Sequence, residues 1–268
     1  MDSSKIIHKL TGHKLVRLTN RGNSAILHAI RLVKAYSDKE FVLIPDQGGW
    51  LTYKTFPKDA GFKIKEVKTN AGLIDINQLD QYLDNSAALI VNQPAGYFAA
   101  QDLEAISKMC KDKVLLIADV TGSIGDKEAC NGKHADILLG SFGKWKPVNL
   151  GYGGFISLKS QKLINISAKL PLIEFDKNYE SELCSKLTHL NERYCHFYSI
   201  AGSIKKDLNN FDIIHKDKKG INVIVRFSNN EEKQKIIDYC NLKSYPYTMC
   251  PRYIRVEENA VSIEVKRL

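Results

Sequence analysis

The chain has 268 residues, 44% hydrophobic and 26% charged, enough apolar content to bury a core and unlike a disordered chain. Its formal charge of +9 raises the question of nucleic acid. The lysines are spread along the chain with only short clusters such as Lys216-Asp217-Lys218-Lys219, which is the pattern of a solvated surface and argues against a nucleic-acid partner. No apolar run is long enough to span a bilayer, and Met1-Asp2-Ser3-Ser4-Lys5 lacks the apolar core of a signal peptide, so the expectation is a cytoplasmic protein with no membrane partner.

After this polar start, Lys14-Leu15-Val16-Arg17-Leu18 reads as a short strand or the end of an arm. The turn Thr19-Asn20-Arg21-Gly22-Asn23-Ser24 leads into Ile26, Leu27, Ile30, Leu32 and Val33 at helical spacing. A small Gly-containing turn that opens a helix aims backbone N–H groups at one point, where a phosphate binds. Asn and Ser there also serve as ordinary N-caps.

Phe41-Val42-Leu43-Ile44-Pro45 reads as a buried strand, followed by the turn Gln47-Gly48-Gly49-Trp50. Trp50 stands just past the strand end, where its ring could stack on a flat cofactor or cover the core. A helix over 51–60, a strand over 63–67 and a helix over 75–83 continue the alternation. The strand over 87–91 ends at Asn92-Gln93-Pro94-Ala95-Gly96, and a helix over 101–110 and a strand over 113–119 come next.

That strand, Val114-Leu115-Leu116-Ile117-Ala118, is almost wholly apolar and ends on Asp119. A carboxylate at the end of a buried strand is costly unless something there needs it. One user is the protonated nitrogen of a pyridine ring, which an Asp keeps cationic so that the ring draws electrons. The other reading is a cap, because Asp119-Val120-Thr121-Gly122-Ser123 has turn chemistry. Asp136, before the strand over 137–139, reads as structural.

Between that strand and the one over 155–158 lies a glycine-rich loop, Ser141-Phe142-Gly143-Lys144-Trp145-Lys146-Pro147-Val148-Asn149-Leu150-Gly151-Tyr152-Gly153-Gly154. An amine fixed at such a place can form an imine with a carbonyl, which is how lysine acts as a covalent catalyst with pyridoxal phosphate. Lys146 is the candidate, and Lys144 reads as a surface lysine.

Strands alternating with helices imply a largely parallel sheet with ligands outside the carboxyl ends of its strands. Gly22, Trp50, Asn92, Asp119 and Ser141 all fall at or near such ends. Residues 161–208 are mostly helical in pattern with a break near Pro171. A strand over 220–227, a helix over 230–240, and a closing hairpin of 253–256 with 261–265 around Glu257-Glu258-Asn259 complete the chain. The expected architecture is α/β: a three-layer α/β/α domain with a mostly parallel sheet over 1–158, then a helical connection and a small C-terminal α+β domain over 159–268. The six cysteines, Cys110, Cys130, Cys184, Cys195, Cys240 and Cys250, lie far apart with no C-x-x-C pair, which fits free buried thiols better than a disulfide framework.

With these pieces in place, the chain resembles the fold-type-I pyridoxal-phosphate enzymes, and within them the sugar aminotransferase family DegT/DnrJ/EryC1/StrS. The likeness runs over about residues 19–158, with a weaker echo in the C-terminal domain. Its most specific part is the pattern S-F-x-x-x-K-x-x-x-x-G-x-G-G, matched by Ser141, Phe142, Lys146, Gly151, Gly153 and Gly154. The resemblance implies that Lys146 forms the Schiff base with pyridoxal 5'-phosphate and that Ser141 helps hold its phosphate. Gly22-Asn23-Ser24-Ala25-Ile26 is similar to the family's G-T-x-A-L turn, which implies phosphate binding by Gly22, Asn23 and Ser24. Asp119-Val120-Thr121-Gly122-Ser123-Ile124-Gly125 resembles D-A-A-Q-x-x-G and places Asp119 at the ring nitrogen. Trp50 falls near the aromatic residue that stacks on the ring, and Asn92 follows the strand that approaches the cofactor from the side. Three departures stand out: Gly122 replaces Gln or His, Tyr152 replaces the Glu of G-E-G-G, and the chain is shorter than a usual member.

The implied activity is transfer of an amino group from an amino-acid donor to a keto acceptor, a nucleotide-linked keto sugar among the candidates, by a homodimer. Arg252 or Arg255 offers a bidentate grip on a substrate carboxylate, or is a surface residue. Two other readings remain. One is a cysteine-desulfurase-like lyase using Cys250 as a loop nucleophile. The other is a catalytically idle fold serving regulation or nucleic-acid binding, against which Lys146 and Asp119 argue because packing requires neither.

Overall fold

Residues 2–268 are described by a computed structural model. The polar start conceals a helix, α1 (Ser3–Thr11). Asp2 accepts the Ser4 N–H at 2.9 Å to cap it, and Gly12, left-handed at φ 69°, ends it. Strand β1 (Leu15–Thr19) and helix α2 (Gly22–Tyr36) follow, and α2 buries Ala25, Ile26, Ala29, Ile30, Leu32 and Val33 along one face.

Strand β2 (Phe41–Pro45) leads into a 3-10 turn (Leu51–Lys54) and the single helical turn α3 (Phe56–Asp59). The one helix expected over 51–60 is therefore split, because Pro57 has no N–H to continue a preceding helix and sits in the first turn of a new one. Strand β3 (Lys63–Val67) is followed by a small hairpin of β4 (Thr69–Asn70) and β5 (Leu73–Ile74). The first half is completed by α4 (Ile76–Leu83), β6 (Ser86–Asn92), α5 (Leu103–Cys110), β7 (Leu115–Asp119), β8 (Ile137–Ser141) and β9 (Gly154–Leu158).

Seven strands form one sheet in the order β1-β9-β8-β7-β6-β2-β3. β3, β2, β6, β7 and β8 run parallel, and β9 is antiparallel to both β8 and β1. Successive side chains of β6 face opposite ways: Ala88 and Ile90 pack with α2, while Leu89 and Val91 pack with Leu79 of α4 and Ile106 of α5. Both faces are thus covered, as a parallel sheet requires. The parallel register places Asn92 beside Asp119, and the antiparallel pairs bring Ser141 opposite Gly154 and Gly154 opposite Thr19. The strand ends that carry the candidate residues therefore share one edge.

The helical stretch expected over 161–208 is three helices, α6 (Gln161–Ser167), α7 (Glu180–Thr188) and α8 (Leu190–Asp207). The break is wider than Pro171 alone. Asn20 donates its N–H to Ile173 O at 3.1 Å and Thr19 bridges Glu174, so this segment runs extended beside the turn that opens α2. Strand β10 (Val223–Arg226), helix α9 (Asn230–Leu242), and strands β11 (Tyr247–Cys250) and β12 (Ala260–Ile263) form the last unit, an antiparallel sheet in the order β10-β12-β11.

The closing hairpin differs from expectation. The partner of β12 is Tyr247–Cys250, with Cys250 opposite Ala260, and residues 253–256 lie in the connecting loop. Tyr253 and Val256 are buried there, and the Tyr253 hydroxyl donates to Pro45 O at 3.1 Å. Tyr253 thus docks onto the end of β2, and Val256 packs against Phe98, Ile224 and Ala260, so neither serves strand pairing. Cys110, Cys130, Cys240 and Cys250 are buried free thiols, and Cys195 is an exposed one. Among the described residues no helix is long and apolar enough to cross a membrane.

Candidate active site

The shared strand edge and the N-terminus of α2 enclose a cavity of about 40 Å³ whose wall includes Gly22, Asn23, Trp50, Asp119, Ser141 and Lys146. Tyr97 and Thr121, which sequence reasoning passed over, also line it. A second cavity of about 390 Å³ adjoins it through Gly22, Asn23 and Ser141 and extends along Gly143 and Tyr152. Ser24, Asn92, Arg252 and Arg255 line neither cavity.

The glycine-rich loop presents Lys146 by folding back on itself. Trp145 (φ 61°), Asn149 (φ 51°), Gly151 (φ 81°) and Gly153 (φ 87°) are all left-handed, a conformation that costs a residue with a Cβ roughly 1–2 kcal/mol. The two non-glycines are held there by a hydrogen bond from Trp145 N–H to Asn149 Oδ1 at 2.8 Å. The N–H groups of Leu150 and Gly151 both reach Phe142 O, at 2.8 and 3.0 Å, and the fully buried Phe142 ring anchors the loop. Lys146 Nζ then donates to the Tyr97 hydroxyl at 2.7 Å and lies 4.9 Å from the Trp50 ring centroid. Lys144 is exposed, with Nζ 4.7 Å over the Trp145 ring.

Asp119 is 4% exposed and accepts hydrogen bonds from the Tyr53 hydroxyl at 2.7 Å and from Thr121 N–H at 3.0 Å. Burial pushes its carboxyl up, and the bonds from Thr121 and Tyr53 and the charge of Lys146 work the other way. Burial, reinforced by the Asp119 charge, drives the Tyr53 phenol far above its usual value, so it stays a donor. Tyr53 comes from the 3-10 turn after Trp50 and has no sequence signal beyond an apolar position. Asn92, next to Asp119 across the β6–β7 ladder, is 3% exposed, and its Oδ1 has no hydrogen-bond partner among the described residues.

At the other end of the cavity, α2 starts without a side-chain cap, so its first N–H groups and the positive end of its dipole face outward. A Cβ on Gly22 would stand 2.5 Å from Ser141 Cβ and 2.9 Å from its Oγ. The helix start and the loop start are therefore in contact only because Gly22 has no side chain. Asn23 Oδ1 accepts from Trp50 Nε1 at 2.9 Å and so orients the indole, while the Ser24 hydroxyl donates to Asn20 Oδ1 at 2.6 Å. Gly22→Ala should separate the two elements, costing about 1–3 kcal/mol of stability, which urea unfolding measures.

Two expectations are corrected here. Arg255 is 3% exposed and binds Glu264 through Nε at 2.8 Å and Nη2 at 2.7 Å. Its charge is spent inside the protein, so it offers no grip on a substrate carboxylate. Glu264 is fully buried and also accepts from Ser262 Oγ at 2.9 Å and faces Lys266 Nζ at 3.1 Å. Cys250 lies on β11, 5% exposed, and burial raises its thiol. It is a packed strand residue and lacks the exposed thiolate a loop nucleophile needs. Arg252 is exposed on the connecting loop.

Solved structures of similar shape place this geometry in context. Helicobacter pylori PseC, an aminotransferase involved in the biosynthesis of pseudoaminic acid, superposes with a TM-score of 0.78 at 13% identity over 98% of this chain and 84% of its own. The fold is that of the fold-type-I pyridoxal-phosphate transferases. DesV from S. venezuelae, solved in complex with a ketimine intermediate, matches with a TM-score of 0.78 at 12% identity over 98% and 82%. A GDP-4-keto-6-deoxymannose-3-dehydratase matches with a TM-score of 0.75 at 14% identity over 97% and 86%. A family model described as the MJ1341 family C-terminal domain matches residues 191–268. Among curated proteins no relative matches the sequence.

Proposed function

We propose that the protein is a pyridoxal-phosphate-dependent aminotransferase that moves an amino group from an amino-acid donor to a small keto acceptor, a nucleotide-linked keto sugar among the candidates. The observation that carries this reading is the convergence on one cavity of the Lys146 amine, the buried Asp119 carboxyl and an uncapped helix start against Ser141. The donor set suits each part of the cofactor: an amine for its aldehyde, an acid for its ring nitrogen, backbone N–H groups and a hydroxyl for its phosphate. Bound there, pyridoxal phosphate would supply an electron sink for negative charge developing on the substrate carbon.

The chain's own residues have separable tasks. Lys146 Nζ holds the cofactor, and when free it can hold or return a proton at the substrate carbon. Asp119 would keep a proton on the ring nitrogen, an interaction that repays the cost of burying its charge. Trp50, fixed by Asn23, would cover a bound ring and exclude water. Ser141 with Gly22 and Asn23 would hold the phosphate and so orient the reacting bond.

The same reading assigns residues 1–158 to the cofactor and 159–268 to closing the site, in a cytoplasmic homodimer. Leu51 and Trp145, 56% and 44% exposed, are the chain neighbours of Trp50 and Lys146, and a second copy covering them would also shield the site. The lyase alternative loses its nucleophile with the burial of Cys250.

Adding pyridoxal phosphate to the purified protein should produce a yellow, visibly absorbing species that borohydride reduction fixes to the Lys146 peptide. Amino acids, then keto acids and nucleotide-linked keto sugars, should bleach and restore the colour in half-reactions. A protein that stays colourless and takes up no cofactor would sink the proposal.

A further inference from the structure

Gly122 is the residue at which the chain departs from the D-A-A-Q pattern, and its surroundings show what the missing side chain makes room for. A Cβ built on Gly122 would stand 2.9 Å from Tyr97 Cδ1, 3.3 Å from Tyr97 Cε1 and 2.9 Å from Pro94 Cδ. The two 2.9 Å approaches are closer than carbon atoms tolerate, so a larger residue at 122 would force the Tyr97 ring or Pro94 to shift. Tyr97 itself is left-handed at φ 72° and 4% exposed, a conformation that persists in a residue with a side chain only when its surroundings enforce it.

Four contacts enforce it. The Tyr97 carbonyl accepts the N–H groups of Ile221 and Asn222 at 2.8 and 3.1 Å, which ties it to the segment leading into β10. Arg255 Cζ and Lys266 Nζ each lie 5.0 Å from the centroid of its ring, so the cations gathered around Glu264 brace the aromatic face. The ring is thereby fixed by the C-terminal unit, while its hydroxyl points into the cavity and accepts Lys146 Nζ at 2.7 Å.

We propose that Tyr97 is the positioning residue for Lys146, its phenol oxygen holding the amine in place, and that Gly122 is the space its ring requires. A lysine amine sits on four rotatable bonds and has no preferred position of its own. An acceptor mounted on a braced ring supplies one, and it also couples the C-terminal unit to the reacting group. The purpose given to the amine rests on the aminotransferase reading, but the contact does not depend on it.

The test uses the full-length protein without added cofactor. Trace labelling with acetic anhydride at constant pH, quantified by peptide mass spectrometry, gives the reactivity of Lys146 relative to exposed Lys144. In Tyr97→Phe the ring remains and only the acceptor of the ammonium is lost, so the Lys146:Lys144 labelling ratio should rise about fivefold, the worth of one hydrogen bond. Gly122→Ala keeps the hydroxyl but displaces the ring, and should raise the ratio similarly. A ratio within about twofold of the unmodified protein in both variants, with thermal midpoints retained, overturns the proposal. Cofactor uptake, measured separately, keeps the two readings apart. An unchanged ratio in a protein that takes up pyridoxal phosphate sinks only the role of Tyr97, and a raised ratio in one that takes up none supports that role while sinking the aminotransferase.

Discussion

Lys146→Ala should leave the protein folded, unable to retain pyridoxal phosphate through borohydride reduction, and slower in transamination by on the order of 10⁴-fold, the size of effect seen when a covalent group is removed from catalytic machinery. The effect is expected to be that large because, among the described residues, no second amine is placed to stand in. Lys144 is exposed over Trp145, and Lys266, the other ammonium near Tyr97, faces Glu264 at 3.1 Å. The stability cost should be small, within about 1 kcal/mol, since Lys146 is only partly buried and makes a single hydrogen bond, to a tyrosine hydroxyl. Intact mass after reduction and single-turnover rates test the two halves. Reducible cofactor remaining on the alanine variant would show that Lys146 is not the covalent residue.

Glu264→Gln should be the most destabilising of the substitutions considered, at about 3–5 kcal/mol, the usual cost of leaving buried charge without its partner. Glu264 is the one carboxylate shared by Arg255, Lys266 and Arg267, at 2.7, 3.1 and 3.5 Å. Burial by itself would raise its carboxyl, but Arg255 and then the other two cations overrule that and hold it well below the usual carboxylate range. The glutamine variant would keep the shape and leave three positive groups together, two of them inside the protein. Because Arg255 and Lys266 brace Tyr97, the variant should also disturb Lys146. Urea denaturation of the unmodified and variant proteins gives the energy, and equal midpoints would refute the assignment.

The same cluster sets a pH dependence whose sign differs from that of an ordinary surface ion pair. Burial lowers the Lys266 ammonium to about 7 from 10.5, against the pull of Glu264. The folded chain therefore binds this proton less tightly than the unfolded chain, and stability rises with pH between those two values. It is lost again as pH falls through about 7. Lys266→Met should flatten that slope while keeping the Arg255–Glu264 pair, which urea midpoints at the two ends of the window would reveal. Glu264 adds a slope of the same sign at the acid end of the profile: its stabilisation is full above the ordinary glutamate range and is lost progressively as pH falls below it.

Much of the large sheet was legible in the sequence because its strands carry a local signal. β6 and β7 are buried along their whole length and read as unbroken apolar runs, which only a strand covered on both faces can be. α2 showed its apolar face at helical spacing, and the glycine-rich loop showed its breaks. The elements that were missed or misplaced lack such a signal. α1 is short and largely polar, and it owes its place to caps, to one fully buried apolar side chain, Ile7, and to Ile6 and Leu10 packed partly buried beside it. The segment 253–256 has the alternation of a strand but uses it to dock Tyr253 onto the end of β2 and to pack Val256 against Phe98 and Ile224.

By itself the sequence determined that this is an alternating α/β chain with Gly22, Trp50, Asp119 and Ser141 at or near its strand ends and an amine at Lys146 in the loop beyond. Those features depend on periodicity and turn chemistry, which act over a few residues. Only the tertiary structure decided that Tyr53 serves Asp119, that Arg255 is spent on Glu264, and that Tyr97 takes the space left at Gly122 to reach Lys146. Each of those is a pairing of polar or close-packed groups on different elements. Such pairings follow from which segments converge on one edge of the sheet and from the cost of burying a charge without a partner, and neither is written in the local pattern.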